Sequence, residues 1–347
     1  MLAKDLAQWA LPQFDGARCV HAAIEQASCQ ACVDVCPKMA WHLDDTALEL
    51  DEALCDGCGL CVPACPRQAI TLPLSFVRHS VAGNDALFSA CRKVGMSQAH
   101  AMGKGHIACL HAISLPDLLR AYQSGERVWL LAHGDCTECL DGQGESLFSR
   151  AEQLNIALRQ RGRPPILLRK ISMQAWSTLV DEHEPQEGQA RRGFFKALSL
   201  RPMGALLGNT SPTNPSETRP PGEYMPEGDD AMLPWVVNIA ATQCVGCHAC
   251  ARVCPEDAIH FEDETPAYRL RHRACTGCGL CIDICEVRAI EIRPWDEPAQ
   301  TTLPLVEKRC ERCGVSFHTP IERDDSTVRC WVCARTKPAQ RLFQVMN

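Results

Sequence analysis

Four times along this chain the same short string recurs: Cys36-Pro-Lys-Met-Ala-Trp, Cys65-Pro-Arg-Gln-Ala-Ile, Cys254-Pro-Glu-Asp-Ala-Ile and Cys285-Glu-Val-Arg-Ala-Ile. Four copies make chance an implausible origin. Each is followed by a short alternating stretch (His42-Leu43, Thr71-Leu72, His260-Phe261, Glu291-Ile292) that reads as a small strand with one apolar side. Three copies close a full C-x2-C-x2-C-x3-C loop: Cys55, Cys58, Cys61, Cys65; Cys244, Cys247, Cys250, Cys254; and Cys275, Cys278, Cys281, Cys285. The chain has 24 cysteines, and 16 of them fall in the two stretches, Cys19–Cys65 and Cys244–Cys285, that hold these copies. So compact a spacing favours a shared metal centre over pairwise disulfides. Gly57, Gly59, Gly277 and Gly279 supply the backbone freedom such a tight loop needs.

The spacing resembles that of the bacterial two-cluster ferredoxins, present here as two modules in the manner of a polyferredoxin. That resemblance implies four [4Fe-4S] clusters. It also implies a crossed ligand pattern, in which three cysteines of one loop join the last cysteine of the other. The second module would then use Cys244, Cys247, Cys250 with Cys285, and Cys275, Cys278, Cys281 with Cys254. Glu286 stands where that family has proline. In the first module Cys29, Cys32 and Cys36 are in place, but Gln26 occupies the position three before Cys29. Cys19 is the upstream candidate, with Val20 to Ser28 as an inserted segment; the alternative is a buried thiol at Cys19 beside a three-iron cluster or another ligand. The expected sets are Cys19, Cys29, Cys32 with Cys65, and Cys55, Cys58, Cys61 with Cys36.

Between the modules the pattern changes. Candidate strands at Ala86–Ala90, His106–Ala108, Arg127–Ala132 and Pro165–Arg169 alternate with candidate helices at Leu115–Gln123 and Glu145–Arg161, which predicts a parallel α/β sheet. Three strands end at or near Cys91, Cys109 and Cys136, with Cys139 just beyond. Ligands of open parallel sheets gather at the carboxyl ends of the strands. A fifth iron–sulfur centre, [4Fe-4S] or [2Fe-2S], is expected there, the alternatives being a redox dithiol at Cys136 and Cys139, or zinc. The arrangement resembles, without a complete motif, the iron–sulfur subunits that link hydrogenases to heterodisulfide reductases. His79, His106, His111 and His133 crowd this region and read as capping residues ahead of relays or ligands.

Gly208 to Asp230 carries five prolines among polar residues and reads as a disordered linker. At the other end, Cys310-x2-Cys313 and Cys330-x2-Cys333 are separated by 16 residues, which fits a four-cysteine zinc ribbon, or a single iron held as in rubredoxins. His318 reads as a surface residue of its hairpin. A formal net charge of −7 argues against a nucleic-acid partner. Met1 to Asp15 lacks an export signal, and no apolar run is long enough for an integral membrane segment, so a cytoplasmic chain is expected.

The fold class read from these features is α+β: two ferredoxin-like modules flanking a parallel α/β domain, plus a small zinc-ribbon tail. Its segments are 1–73, 74–205, a linker at 206–234, 235–298, and the ribbon at 299–347. The expected function is relay of single electrons between a low-potential donor and a partner oxidoreductase, with protein redox partners and no substrate site of its own. Two alternatives remain: a redox enzyme acting on a sulfur species or disulfide through Cys136 and Cys139, and a redox-sensing or structural zinc-ribbon protein.

Overall fold

The structure is a computed structural model and describes residues 10–44, 47–81, 84–92, 94, 105–136, 146–172, 174–176, 178, 218–228, 231–323 and 328–336. The chain divides into two compact units, Met1–Ala17 with Gln30–Thr218, and Arg18–Cys29 with Arg219–Asn347.

In the first unit, β1 (Gln13–Phe14) pairs antiparallel with β4 (Ile70–Thr71), and between them β2 (Trp41–Leu43) and β3 (Leu48–Leu50) form a hairpin. The one-turn helices α1 (Ala31–Asp34) and α2 (Cys61–Ala64) each carry one cysteine inward. Trp41, Ile70 and Leu60 pack with Cys32, Cys58 and Cys61, so the thiols themselves form part of the core.

The central sheet contains β5 (Val77–Val81), β6 (Asn84–Cys91), β7 (His106–Ile107), β8 (Val128–Ala132) and β9 (Leu167–Lys170). The pairs β6–β7, β6–β8 and β8–β9 run parallel, whereas β5 runs antiparallel to β6 and is a strand the sequence pattern did not mark. Two helices, α3 (Leu115–Gln123) and α4 (Leu147–Gln160), connect the parallel strands. Ser114 caps α3 through a reciprocal pair with Asp117, and Ser146 caps α4, which sets both starting points. Trp129, Phe88, Leu131, Leu118, Leu154 and Leu158 are fully buried.

The second unit repeats the first module's path with longer strands. β10 (Leu233–Ile239) pairs with β13 (Ile290–Asp296), and β11 (Ile259–Glu262) forms a hairpin with β12 (Ala267–Leu270). Here the inner hairpin does not end the sheet. β14 (Thr302–Arg309) pairs first with β12 and then with β15 (Ser316–Pro320), giving the order β11-β12-β14-β15. The four-cysteine tail is therefore grown out of the module's own sheet.

The linker reading needs correction from residue 218 on. Pro221–Tyr224 forms a helical turn, α5, with Pro221 at its start, and Tyr224 and Met225 are buried. Arg273 holds the turn by donating to the Pro226 carbonyl at 3.2 Å and to that of Met225. The reason is local: Tyr224-Met225 gives this end of a proline-rich stretch an apolar anchor that composition over the whole window hides. Residues 208–217 lie outside the described residues. Replacing Tyr224 with alanine should destabilise the second unit by about 3 kcal/mol, the usual cost of emptying a buried aromatic site, measurable by calorimetry of the full chain.

Candidate metal centres

Each copy of the recurring string folds into the same five-residue turn. The third residue after the last cysteine has positive φ: Met39 (51°), Gln68 (51°), Asp257 (51°) and Arg288 (52°). That twist returns the backbone so that the next amide, always an alanine's, donates to the cysteine sulfur. The bonds are Ala40 N–H to Cys36 Sγ at 3.3 Å, Ala69 to Cys65 at 3.3 Å, Ala258 to Cys254 at 3.2 Å and Ala289 to Cys285 at 3.3 Å. Four side chains held in the left-handed region each cost roughly 1–2 kcal/mol, so the turn has to be stabilised by what it encloses. All four alanines are buried, leaving room for nothing larger beneath the sulfur. Glu286 in place of proline leaves this turn unchanged.

The loops upstream also share a shape. Gly57, Gly246 and Gly277 have φ of 69°, 66° and 72°, and the residue after the second cysteine is again left-handed: Gly59 (77°), His248 (61°) and Gly279 (82°). The equivalent residue of the first loop, Gln30, has φ −126°, so the irregular loop differs in conformation as well as in spacing. Its segment Arg18–Cys29 belongs to the second unit: Val20 is buried, and Ser28 donates through N–H and Oγ to Asp283 at 2.9 and 2.7 Å.

In three of the four runs the last cysteine sits near sulfurs of the other loop. Cys285 adds its charge to Cys244 and Cys250, and Cys254 adds its charge to Cys275 and Cys281. Cys36 does the same to Cys55. One cavity is lined by Cys254, Cys275, Cys278 and Cys281 together with Val237, Ile259 and Ile292. Burial pushes the thiols of Cys61, Cys250 and Cys275 up to about 12 and raises those of Cys55, Cys244 and Cys281. Sulfurs so placed become thiolates only beside strong positive charge, which is what iron provides.

At the tail, Cys310, Cys313, Cys330 and Cys333 bring their sulfurs within 4.8 Å of one another. Cys310 directly follows β14, and Cys330 precedes the short helix α6 (Trp331–Arg335). Backbone N–H groups of Cys330, Cys313 and Arg312 favour the Cys310 thiolate.

In the central domain, Cys91 ends β6, Cys109 follows β7 by two residues and Cys136 follows β8 by four, so three of the four expected thiols stand at the carboxyl ends of parallel strands. Cys139 lies outside the described residues. Cys109 packs in one apolar cluster with Cys32, Cys58 and Cys61. Arg92, just past Cys91, binds the carboxylate of Asp56 at 2.9 Å and its carbonyl at 3.3 Å, within the Cys55–Cys58 loop. Cys136 Sγ is 3.8 Å from His133 Nδ1. His111 Nδ1 accepts the Leu147 N–H at the start of α4, a capping role, and His106 stacks edge-on against Trp176.

Residues the sequence pattern passed over surround the Cys244–Cys250 loop. His248 is held neutral, its pKa lowered to about 4 by burial and then by His318 and Arg252. The Tyr268 hydroxyl accepts from the His248 backbone N–H at 3.2 Å and faces His248 Nδ1 at 2.9 Å, while His248 Nε2 faces His318 Nδ1 at 3.0 Å. One assignment satisfies all three contacts: Tyr268 donates to Nδ1, and Nε2–H donates to His318. His318 is thus half-buried against the cluster loop and not a surface residue. The signal was present in the sequence, since His248 stands where two sister loops have glycine.

Comparison with known families agrees with this geometry. Residues 237–292 match the 4Fe-4S dicluster domain, and residues 48–71 and 17–40 each match a 4Fe-4S binding domain. The chain is an iron–sulfur protein. No curated protein matches it. The third match spans Cys19 as well as Cys29, Cys32 and Cys36, the run with the long first spacing. These ferredoxin-like domains support an electron-transfer role. Among the described residues no helix is long and apolar enough to cross a membrane.

The three glycines separate strain from collision. A methyl at Gly279 meets nothing within 4 Å, one at Gly277 falls 2.4 Å from the Trp235 ring, and one at Gly246 falls 2.1 Å from the His318 carbonyl oxygen. Gly279→Ala should retain its iron and lose only about 1–2 kcal/mol of stability. Gly246→Ala and Gly277→Ala should purify with substoichiometric iron, as read by iron and sulfide assay.

Proposed function

We propose that this chain relays single electrons through four [4Fe-4S] clusters, two in each ferredoxin-like module, between a low-potential donor and a partner oxidoreductase. The observation that carries the reading is the fourfold turn with its crossed cysteine. All four place the closing sulfur under a backbone amide, and Cys36, Cys254 and Cys285 stand beside sulfurs of the other loop. Such a set fits a cubane, whose corners need four thiolates in an apolar, amide-lined surround. When bound, each cluster supplies a one-electron couple. The chain's own residues tune that couple: the alanine amides stabilise negative charge at sulfur, and Trp41, which hydrogen-bonds Cys61, together with Trp235 and Ile292 exclude water. The ligand sets are Cys19, Cys29, Cys32, Cys65; Cys55, Cys58, Cys61, Cys36; Cys244, Cys247, Cys250, Cys285; and Cys275, Cys278, Cys281, Cys254.

The tail fits zinc, with four sulfurs in one compact group on two C-x2-C knuckles. A fifth iron–sulfur centre at Cys91, Cys109, Cys136 and Cys139 is part of the same reading, supported by three of these thiols at the carboxyl edge of the sheet. A second reading makes Cys136 a reactive thiol acting on a sulfur species or disulfide, and the nearness of His133 favours it. Replacing Cys136 with serine removes one iron–sulfur signal under the relay reading and spares every signal under the other. The proposed partners are protein subunits of an oxidoreductase.

Anaerobic purification with metal counts is the direct test. Five cubanes predict about 20 iron, a [2Fe-2S] centre in the middle domain about 18, and four cubanes alone about 16, with one zinc in each case. Cys310→Ser should lose the zinc and keep the iron. Loss of iron in parallel with zinc, or clusters that dithionite does not reduce reversibly, would overturn the reading.

A further inference from the structure

The second module departs from its own repeat at two places in the ligand loops: His248 where Gly59 and Gly279 stand, and Glu286 where three copies have proline. Both departures touch the four-cysteine tail. His248 contacts His318 of β15 at 3.0 Å, and Glu286 forms an ion pair with Arg335 of α6, two residues beyond Cys333. Two further contacts fall on the same spot. The β15 backbone at His318 lies so close to Gly246 that only a glycine fits, and Arg323 donates to the Cys244 carbonyl at 2.8 Å.

Residues Cys244, Gly246, His248 and Glu286 lie within or beside one ligand set, Cys244, Cys247, Cys250 and Cys285. The other set of this module, Cys275, Cys278, Cys281 and Cys254, takes none of these four contacts. β14 leads from the module's sheet directly into Cys310 and pairs with β15, so a metal that gathers the four tail cysteines adds to that pairing in fixing where β15 and α6 lie. The Glu286–Arg335 pair is exposed and adds little energy, so the cover is held by the β14–β15 pairing together with the tail's own metal.

We propose that the four-cysteine tail is a metal-locked cap over one chosen cluster, the one on Cys244, Cys247, Cys250 and Cys285, setting its solvent access and its potential separately from the other clusters. The proposal rests on the reading of those cysteines as a cluster set. The cap departs from the ferredoxin pattern by contacting ligand loops where a bare module would meet water. Water stabilises the more negative, reduced form of a four-thiolate cluster, so opening the cap raises that cluster's potential.

The test is an EPR-monitored redox titration of the full chain, alongside Cys310→Ser/Cys313→Ser and the milder His318→Ala, which keeps all four tail cysteines. Cys247→Ser assigns the signal of the capped cluster. In both cap variants the assigned signal should move to higher potential and its iron should pass to a ferrous chelator several-fold faster, with the remaining signals unchanged. No shift, a shift shared by all clusters, or a shift in a cluster other than the assigned one overturns the cap. Full iron content in the same samples shows that the clusters themselves stand. Iron absent from the unsubstituted chain would instead overturn the cluster reading.

Discussion

A backbone amide pointing at a cysteine sulfur is the contact on which both ferredoxin-like modules depend. To make it, the chain must turn back within five residues, and that turn forces Met39, Gln68, Asp257 and Arg288 into the left-handed region, where side chains are disfavoured. It also demands a residue of minimal bulk at the donor, which alanine supplies four times. The sequence repeat and the hydrogen-bond repeat are therefore the same constraint seen twice. Proline after the cysteine is dispensable to it, since the Glu286 copy forms the turn with an equal bond length.

Around these turns the cores are built from the ligands. Cys32, Cys58 and Cys61 are counted among the few fully packed side chains of the first module, and Cys244, Cys250, Cys275 and Cys281 among those of the second. Strands of two to seven residues and helices of one turn bury little apolar surface by themselves. A module of this kind gains its stability with its metal, because the sulfurs that fill its centre are paired only when iron joins them. The central domain has a different source of order. Its capped helices and parallel strands enclose Trp129, Phe88 and several leucines, a core that owes nothing to a bound group.

The contrast extends to how the parts attach. Arg92 at the end of β6 grips the Cys55–Cys58 loop through Asp56, while against the cost of burial Arg92 and Lys38 hold that carboxyl below its usual range. In the second unit attachment runs through backbone pairing, with β14 shared between the module and its tail. Cluster loops in both units are thus gripped by neighbouring elements and do not stand free.

Much of this was legible in the chain. Spacing of sulfur ligands is local, so the loops, the turns and the tail knuckles could be read from residues a few positions apart. Alternation of Val128–Ala132 with the apolar face of Leu147–Leu158 marked the central strands and helices for the same reason. What sequence could not carry was the partner of each local piece. Nothing near Val77 shows that it pairs with Phe88, and nothing near Thr302 shows that β14 joins β12. The prolines of 208–230 masked an anchor at Tyr224 that has meaning only against Arg273, and His318 looked like a surface residue until β15 was laid on Gly246. The sequence alone marked the cysteine loops and the tail knuckles that can hold metal, because their spacing is local. Only the tertiary structure decided which loop the tail covers, because that depends on β14 pairing with β12 and on His318 meeting His248, 70 residues earlier in the chain.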